Sequence, residues 1–440
     1  MSGSDKIQKF DTLSVHAGCG SDPATGARSV PIYQTSAYSF PNVEEAADIF
    51  HLRKPGFVYS RLTNPTVSAL EEKLAALEGG VGSTCTSSGI SAQLLMFFTL
   101  LSHGDEFVAS SKLYGGTLSQ LRYQFKRAFN WTGHFVDPTN PDNFKRAITE
   151  KTKVIFVESP TNPENVIVDF EAIAKIAEEY NVVFAVDNTI GTPYLCRPLE
   201  FGANIVTYST TKYISGHGNS MGGAVIDGGN FNWKKDAAKY PTLAMPEPAY
   251  DNAVFADMFG DKALCMHNHA VGLRDLGMNQ QPMNAYLTIM GLETLGMRME
   301  KHSKNALDVA QFLENHSGVE WVSYAGLPSH ISYANGQKYM KDGLCSSVMT
   351  FGIKGGYDAG VKMVENVQLF SHLANIGDTR SLLIHPASTT HAQLTDEQKN
   401  AAGANADTIR LSIGIEDIAD IIADLDQALN IAQGLEKACA

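Results

Sequence analysis

The stretch Asn204-Ile-Val-Thr-Tyr-Ser-Thr-Thr-Lys212-Tyr-Ile-Ser-Gly-His-Gly218 is the most informative part of this chain. Its first half is apolar and β-branched, as in a buried strand. That strand ends in hydroxyl side chains, which are followed by Lys212 and a glycine-rich turn. Earlier in the chain a second apolar run, Val182-Val-Phe-Ala-Val-Asp187, ends in a carboxylate. Each segment therefore places a reactive group directly after a predicted strand.

Apolar segments alternate with amphipathic helical segments through the first half of the chain. Asn64 and Pro65 suit the start of the first helix, and Gly79-Gly80 suits its end. Strands joined by helices predict an α/β fold with a mostly parallel sheet covered on both faces. In such sheets ligands bind beyond the carboxyl ends of the strands, where Asp187 and Lys212 lie. The other predicted segments are helices 89–101, 115–128, 142–149 and 170–180 and strands 106–109, 134–136, 154–158, 182–186 and 204–208.

Three parts of the chain differ in pattern. Residues 1–62 show little periodicity, so we predict an N-terminal arm that contacts a partner subunit. Residues 63–290 form the predicted large domain, with a long irregular insertion beside the site near 230–283. Residues 291–440 form a predicted smaller α+β domain. A connector helix over 284–315 leads into this domain, which contains predicted strands 346–353 and 408–413 and a C-terminal helix.

Composition and charge restrict the class of protein. The 440 residues carry a formal net charge of -13, which argues against nucleic acid and anionic membranes as partners. No apolar run approaches the roughly 20 residues that span a bilayer, and the N-terminus lacks a signal-peptide pattern. The cysteines are scattered without a C-x-x-C pair, which indicates reduced thiols. We therefore expect a cytoplasmic protein of more than one domain.

Lys212 and Asp187 together favour pyridoxal phosphate as the cofactor. An amine can bond to the aldehyde carbon of this cofactor, and a carboxylate can keep its pyridine nitrogen protonated. Each residue also has an ordinary structural explanation. The hydroxyls near Lys212 can satisfy their own backbone, and Asp187 can cap a helix. Thr189 either orients Asp187 or only begins a turn.

Other segments supply candidate groups for the rest of such a site. Ser87-Ser88-Gly89-Ile90 opens a predicted helix, whose free N–H groups and positive dipole end would bind a phosphate. Ser209 and Thr211 are candidate side-chain donors to the same anion, whereas the alternative for Ser88 is an ordinary helix cap. Tyr114 lies at another strand-to-helix junction, where its ring would stack on a pyridine. A core tyrosine is the alternative.

Two arginines complete the candidate groups. Arg61 lies with Tyr59 in the arm, and from there it would complete the phosphate site of a neighbouring subunit. The alternative is a solvated side chain. Arg410 is charged but stands in an apolar strand, so it requires a partner. That partner is either the carboxylate of an amino-acid substrate or a structural ion pair.

Two further patterns point away from metals and nicotinamides. His267…His269 and His385…His391 have no Cys or carboxylate at ligand spacing, so no metal is expected. Gly216-His-Gly-Asn-Ser-Met-Gly-Gly223 places its third glycine one position late for a dinucleotide fingerprint, and no helical pattern follows it.

Many of the candidate residues stand in motifs that occur in one order along nearly the whole chain. In this ordered set the chain resembles the Cys/Met-metabolism family of pyridoxal-phosphate enzymes, which includes cystathionine γ-synthase, cystathionine lyases, methionine γ-lyase and O-acetylhomoserine sulfhydrylase. The motifs are Tyr59-Ser-Arg61, Ser88-Gly89, Leu113-Tyr114-Gly-Gly, Glu158-Ser-Pro-Thr-Asn162-Pro, Asp187-Asn-Thr189, Ser209-Thr-Thr-Lys212-Tyr, His385-Pro-Ala-Ser-Thr-Thr-His391 and Arg410-Leu-Ser-Ile-Gly414.

The resemblance implies the aspartate-aminotransferase-like fold, which is fold type I of the pyridoxal-phosphate enzymes. It also implies a homotetramer, built as two dimers with active sites shared between subunits. Lys212 would bond to the cofactor, Asp187 would hold the pyridine nitrogen and Tyr114 would stack on the ring. The remaining cofactor residues would be Ser88, Gly89, Ile90, Thr189, Ser209, Thr211 and, from the partner, Tyr59 and Arg61. The residues on the substrate carboxylate side would be Asn162, Ser381 and Arg410.

Within the family, the chain resembles O-acetylhomoserine sulfhydrylases in three segments: the insertion with Pro246-Glu-Pro-Ala-Tyr250, Gly272-Leu-Arg-Asp-Leu-Gly277, and the segment around Arg380. The lyases often carry an acid where Arg380 stands. The implied reaction is replacement at Cγ, in which Lys212 removes the Cα proton, acetate leaves, and sulfide or methanethiol adds. Tyr59 or Tyr114 would assist proton transfer. A γ-lyase or cystathionine synthase reaction on the same fold and a non-catalytic homologue are the alternatives.

Overall fold

The computed structural model describes residues 8–390, 392, 393, 395, 399 and 403–435. His391, which was named above, and one of the cysteines, Cys439, lie outside the described residues. The strands are β1 Gly82–Thr86, β2 Glu106–Ser110, β3 Thr132–Val136, β4 Thr152–Glu158, β5 Val183–Asp187, β6 Ile205–Tyr208, β7 Gly223–Asp227, β8 Val319–Ser323, β9 Val348–Ile353, β10 Ser371–His372, β11 Leu382–Ile384 and β12 Thr408–Ser412.

Helices surround both sheets. They are α1 Phe10–His16, α2 Val43–Phe50, α3 Pro65–Glu78, α4 Gly89–Leu100, α5 Gly115–Ser119, α6 Phe125–Phe129, α7 Asp142–Ala147, α8 Phe170–Glu179, α9 Thr192–Leu195, α10 Pro241–Ala244, α11 Phe255–Phe259, α12 Ala263–His267, α13 Arg274–Leu276, α14 Pro282–Leu292, α15 Leu295–Asn315, α16 Tyr333–Tyr339, α17 Gly356–Val364 and α18 Ile418–Ala432. None of these described helices is both long enough and apolar enough to cross a membrane.

The first sheet has seven strands in the order β1-β7-β6-β5-β4-β2-β3. From β6 to β3 all neighbours are parallel, whereas β7 is antiparallel to both of its neighbours. The predicted α/β fold with a mostly parallel sheet is therefore confirmed. The sequence pattern does not predict β1 or β7, because five-residue strands beside glycines show too short a period.

Both faces of this sheet are buried, as a parallel sheet requires. On β4, Ile155 and Val157 belong to one apolar cluster, whereas Val154 and Phe156 belong to another. Helices α3 and α8 and the C-terminal part of the chain contribute to the first cluster. Helix α4 and the insertion contribute to the second. The sheet is thus a rigid support for the residues that follow its strands.

The second sheet has five strands in the order β10-β11-β12-β9-β8. It is antiparallel except for the pair β10 and β11. Arg410 lies in the central strand β12, opposite Thr350 on β9 and Ile384 on β11. This sheet with helices α17 and α18 agrees with a smaller α+β part at the C-terminal end.

Three predictions about the regions outside the sheets are wrong in detail. The arm is not wholly irregular, because it contains α1 and α2. The connector helix over 284–315 is two helices, α14 and α15, which are interrupted at Glu293 and Thr294. The insertion near 230–283 contains short helices and buries Trp233 and Tyr240 against the sheet. Helices of three to five residues are too short to show a helical period.

Candidate active site

A cavity of about 270 Å³ lies at the carboxyl ends of β4, β5 and β6. This is the position where open α/β sheets bind their ligands. The cavity also reaches β12 of the second sheet, so both sheets contribute to it. Its lining residues are Ser88, Gly89, Ile90, Gln93, Tyr114, Thr117, Glu158, Asn162, Asp187, Thr189, Ile190, Ser209, Thr211, Lys212, Met221, Ala374, Asn375, Ile376, Thr390 and Arg410.

Lys212 presents its amine inside this cavity. Its Nζ donates a hydrogen bond of 2.5 Å to Oδ1 of Asn375. Burial, together with the nearby Arg410 guanidinium, lowers the pKa of Lys212 to about 8. A lysine amine with a lowered pKa is neutral, and therefore nucleophilic and basic, in a larger fraction of molecules near neutral pH.

Asp187 ends β5 and is held from two sides. Its Oδ2 accepts from Nε2 of Gln93 at 2.9 Å, and its Oδ1 accepts from the Thr189 N–H at 3.0 Å. Oγ1 of Thr189 in turn accepts from the Ser209 N–H at 2.8 Å. Burial raises the pKa of Asp187, and among the described residues no lysine, arginine or histidine forms an ion pair with it. The carboxylate is therefore fixed in place and suited to a cationic partner in the cavity.

The start of α4 forms a candidate anion site. Ser88 caps this helix by accepting from the Ser91 N–H at 3.2 Å, which leaves the N–H groups of Gly89 and Ile90 at the helix start. A Cβ atom at Gly89 would lie 2.7 Å from Cβ of Ser209. Only glycine therefore lets the helix start approach the end of β6 this closely. Thr211 lines the cavity too, while its hydroxyl donates to the Gly222 carbonyl at 3.2 Å.

Glu158 organises the side of the cavity next to Asp187. One of its oxygens accepts from the Tyr114 N–H at 2.7 Å, and the other accepts from the Asn162 N–H at 2.8 Å. Burial and the Asp187 carboxylate raise the pKa of Glu158 to about 8. The Tyr114 ring is half exposed and lies over Gly116, where a Cβ atom would be 2.5 Å from Cε1 of the ring.

Arg410 reaches the cavity from the second sheet. Its Nη2 donates to the Asn375 carbonyl at 3.0 Å, and Nη1 lies 3.5 Å from Oδ1 of Asn162. Burial lowers the pKa of Arg410 to about 10. Within the described part of the chain, no carboxylate pairs with it. Because a buried guanidinium requires an anion, this position suits the carboxylate of a ligand.

Among the described residues, the cavity therefore offers a carboxylate that pairs with no cation at one end and a guanidinium that pairs with no anion at the other. Between them lies an amine of lowered pKa, and a helix start suited to an anion completes the set. A protonated pyridine nitrogen fits Asp187, an aldehyde carbon fits Lys212, and a phosphate fits the helix start at Gly89. The carboxylate of an amino acid fits Arg410. The residues present therefore fit pyridoxal phosphate together with an amino-acid substrate.

Three predicted site residues are not brought to this cavity within one chain. Tyr59 is 43% exposed, and the guanidinium carbon of Arg61 lies 5.5 Å from the centre of its ring. Neither residue lines the cavity. Ser381 is fully buried, and its hydroxyl donates to Oε2 of Glu416 at 2.9 Å and accepts from the Gly414 N–H at 2.9 Å. The described lining does not include Ser381, contrary to the expectation for it.

Two arginines from the segments that resemble sulfhydrylases also lie outside the lining. Arg380 is exposed and contacts Asp378 at 3.2 Å. Arg274 pairs with Asp275 at 2.7 Å, and its guanidinium lies over the Tyr250 ring. In this chain, therefore, neither guanidinium is placed to contact a ligand in the cavity. No residue of the insertion near 230–283 is among the described lining residues, but Gln280 donates to the carbonyl of the lining residue Met221 at 3.1 Å. The position of the insertion beside the site stays a prediction.

Several cavity residues received no role from the sequence, among them Gln93, Glu158 and Asn375. The sequence contains a feature that could have predicted Gln93, because it is a polar residue one turn after Gly89 in an apolar helix. Glu158 had a similar signal, because it closes an apolar strand just as Asp187 does. Asn375 follows β10 in an irregular segment, where no period marks it.

Comparison with known proteins identifies the family. The model of the Cys/Met metabolism PLP-dependent enzymes matches residues 11–430. The chain belongs to this family. A curated relative, O-acetyl-L-homoserine sulfhydrylase of Leptospira meyeri, is 44% identical over 96% of this chain and 96% of its own. Homocysteine synthase of Schizosaccharomyces pombe is 45% identical over 97% of this chain and 99% of its own.

Solved structures of the Cys/Met metabolism family agree with the fold. A putative O-acetylhomoserine (thiol)-lyase of Campylobacter jejuni, which carries a pyridoxyl-lysine phosphate, covers 96% of this chain and 100% of its own with a TM-score of 0.92 and 38% identity. The structure of metB from Corynebacterium glutamicum covers 98% of this chain and 99% of its own, with a TM-score of 0.81 and 35% identity. The expected fold type I and the pyridoxal-phosphate dependence of this enzyme are confirmed.

Proposed function

We propose that this enzyme replaces the acetate of O-acetyl-L-homoserine by sulfide or methanethiol, giving L-homocysteine or L-methionine. The observation that carries the proposal is the buried set of Asp187, Lys212 and Arg410 around one cavity. This set fits the cofactor and an amino-acid carboxylate together. Relatives named O-acetylhomoserine sulfhydrylase and homocysteine synthase, with matches along nearly the full length, supply the substrate.

Bound pyridoxal phosphate would supply an electron sink for the negative charge that develops at the amino-acid Cα. Within the proposed reaction, Asp187 keeps the ring nitrogen protonated and Arg410 holds the substrate carboxylate. Lys212, once its amine is free, removes the proton at Cα, and its lowered pKa suits this work near neutral pH. Tyr114, whose ring borders the cavity, supports the ring by stacking.

The alternative reaction on the same fold is γ-elimination, as in a methionine γ-lyase or a cystathionine lyase. The curated relatives favour replacement, because those at 44% and 45% identity are named O-acetyl-L-homoserine sulfhydrylase and homocysteine synthase. Product analysis distinguishes the two reactions: the purified enzyme with O-acetylhomoserine should release acetate rapidly only when sulfide or methanethiol is present. Release of 2-oxobutyrate at the same rate without a thiol would support elimination.

We further propose that the active site is completed by a partner subunit, within a homotetramer made of two dimers. Support comes from Tyr59 and Arg61, whose side chains are exposed and lie outside the cavity of their own chain. The cytoplasm is the proposed location. Among the described residues five cysteines are unpaired, which agrees with a reducing compartment.

The shared site predicts complementation between two inactive variants. We expect Lys212→Ala and Arg61→Ala to be nearly inactive alone. A hybrid dimer would hold one site with both native residues. Random mixing should therefore restore about a quarter of wild-type activity, since half of the dimers are hybrids with one native site each. Activity of co-expressed, co-purified subunits measures this, and no recovery in verified hybrids would contradict the shared site.

Cofactor attachment should depend on pH through Lys212. Only the neutral amine attacks an aldehyde, and the pKa of Lys212 is lowered to about 8. The attachment rate should therefore rise about tenfold per pH unit below pH 8 and level off above it. Absorbance after mixing cofactor-free enzyme with pyridoxal phosphate measures the rate. Arg410→Gln should move the midpoint to higher pH, because the nearby positive charge is removed; an unchanged midpoint would contradict this account.

Asn375 should position the free amine of Lys212. Its side-chain oxygen accepts from Nζ, and its backbone carbonyl accepts from Arg410. We expect Asn375→Ala to lower kcat about 10- to 100-fold with little change in KM, because the backbone contact to Arg410 remains. Steady-state kinetics measure both constants. Ser329→Ala, which removes an exposed hydroxyl that contacts only Glu314, is the control; a variant with wild-type kcat would exclude this role.

A further inference from the structure

Glu158 is a buried carboxylate in the cavity to which the proposed reaction gives no role. It ends β4 directly opposite Asp187 at the end of β5. Paired residues of neighbouring parallel strands project from the same face of a sheet, so the two carboxyl groups lie side by side. Glu158 is 5% and Asp187 6% exposed. Among the described residues no cation pairs with either carboxylate.

The two hydrogen bonds of Glu158 join two separate loops. Tyr114 stands directly before α5, and its side chain does not cap this helix. The hydrogen bond from its N–H to Glu158 fixes the backbone at this point. Asn162 lies in the turn after β4, and its side-chain oxygen faces Arg410. One carboxylate therefore sets the positions of the Tyr114 ring and of the Asn162 amide at once.

We infer that Glu158 is a positioning residue. By accepting from two backbone N–H groups, it holds the Tyr114 ring and the Asn162 amide in fixed positions relative to Asp187. The assignment of Asn162 to the substrate rests on the proposed function, whereas the effect on Tyr114 concerns the cofactor alone. Glu158 needs no contact with the reacting atoms in this role.

The variant Glu158→Gln tests the inference in the enzyme loaded with pyridoxal phosphate. A glutamine side chain has one oxygen, so its amide group faces one of the two N–H donors and that bond is lost. We expect the circular dichroism of the bound cofactor to fall markedly and the dissociation constant of pyridoxal phosphate to rise about 10- to 100-fold. Glu171→Gln is the control, because it removes an exposed ion pair between Glu171 on α8 and Lys338 on α16. This variant should leave the dichroism and the dissociation constant unchanged.

A purely structural role would be exposed by two further measurements. Thermal unfolding of the cofactor-free variant reports whether the fold is intact, and Glu158→Asp takes the place of Glu158→Gln if the latter does not fold. In a Tyr114→Ala background, which keeps the backbone N–H, Glu158→Gln should weaken cofactor binding by less than about threefold, since the effects of coupled residues do not add. Wild-type dichroism and affinity, or fully additive effects, would overturn the inference. These readouts involve no sulfur substrate, so they stand even if the proposed replacement reaction fails.

Discussion

Replacing Lys212 by alanine is expected to reduce turnover by at least about 1,000-fold. In the proposed reaction the amine of this residue both bonds to the cofactor and removes the proton at Cα. Among the described residues that line the cavity there is no second lysine to take over this work. Formation of homocysteine from O-acetylhomoserine and sulfide is the measurement.

A matched lysine distinguishes loss of chemistry from loss of positive charge. Lys304 is exposed on α15 and contacts only Glu300 at 3.7 Å, so Lys304→Ala should retain wild-type turnover. Lys212→Ala should still bind pyridoxal phosphate through Asp187 and the helix start at Gly89, but without a covalent bond. Sodium borohydride should then fix the cofactor to the wild-type chain and not to Lys212→Ala. Turnover of Lys212→Ala at the wild-type rate would contradict the role assigned to this residue.

Replacing Arg410 by alanine should lower kcat/KM for the amino-acid substrate more than any other change on the second sheet. Loss of one partner from a buried, hydrogen-bonded charge pair costs about 2–5 kcal/mol, which corresponds to a fall in kcat/KM of roughly 30- to 5,000-fold. Burial of the guanidinium places this residue in that class. Steady-state kinetics over a range of O-acetylhomoserine concentrations measure the change.

The conservative variant Arg410→Lys separates charge from geometry. A lysine keeps the positive charge but cannot donate in two parallel bonds, so we expect an intermediate loss. Arg127→Lys, an exposed position on α6, is the matched control and should behave as wild type. If Arg410→Ala had an unchanged kcat/KM for the amino acid but a weaker affinity for the cofactor, Arg410 would be a cofactor residue and not a substrate residue.

Much of the site could be predicted from local sequence because its residues follow strands. Lys212 and Asp187 close apolar runs, and Gly89 opens a helix with its own cap. Since the carboxyl ends of parallel strands meet at one edge of a sheet, the order of these segments is enough to bring the residues together. Thr189 has a role that the structure explains, because it links Asp187 to the backbone of Ser209.

The residues that local sequence could not assign act across long separations. Gln93 contacts Asp187 from 94 positions away, and Asn375 contacts Lys212 from 163 positions away. No periodic pattern encodes such contacts, because the first depends on how α4 packs on its sheet and the second on how the two sheets are placed. Arg61 shows a different limit: its proposed task lies in a neighbouring subunit, so neither its own segment nor a single folded chain displays the partner.

The partition between two products tests the central claim most directly. Purified enzyme with pyridoxal phosphate, O-acetylhomoserine and sulfide should form homocysteine and acetate in equal amounts, with little 2-oxobutyrate. The same enzyme with methionine alone should release 2-oxobutyrate and ammonia only slowly. Rapid formation of 2-oxobutyrate from methionine, together with no homocysteine from the ester and sulfide, would contradict replacement at Cγ as the function of this enzyme.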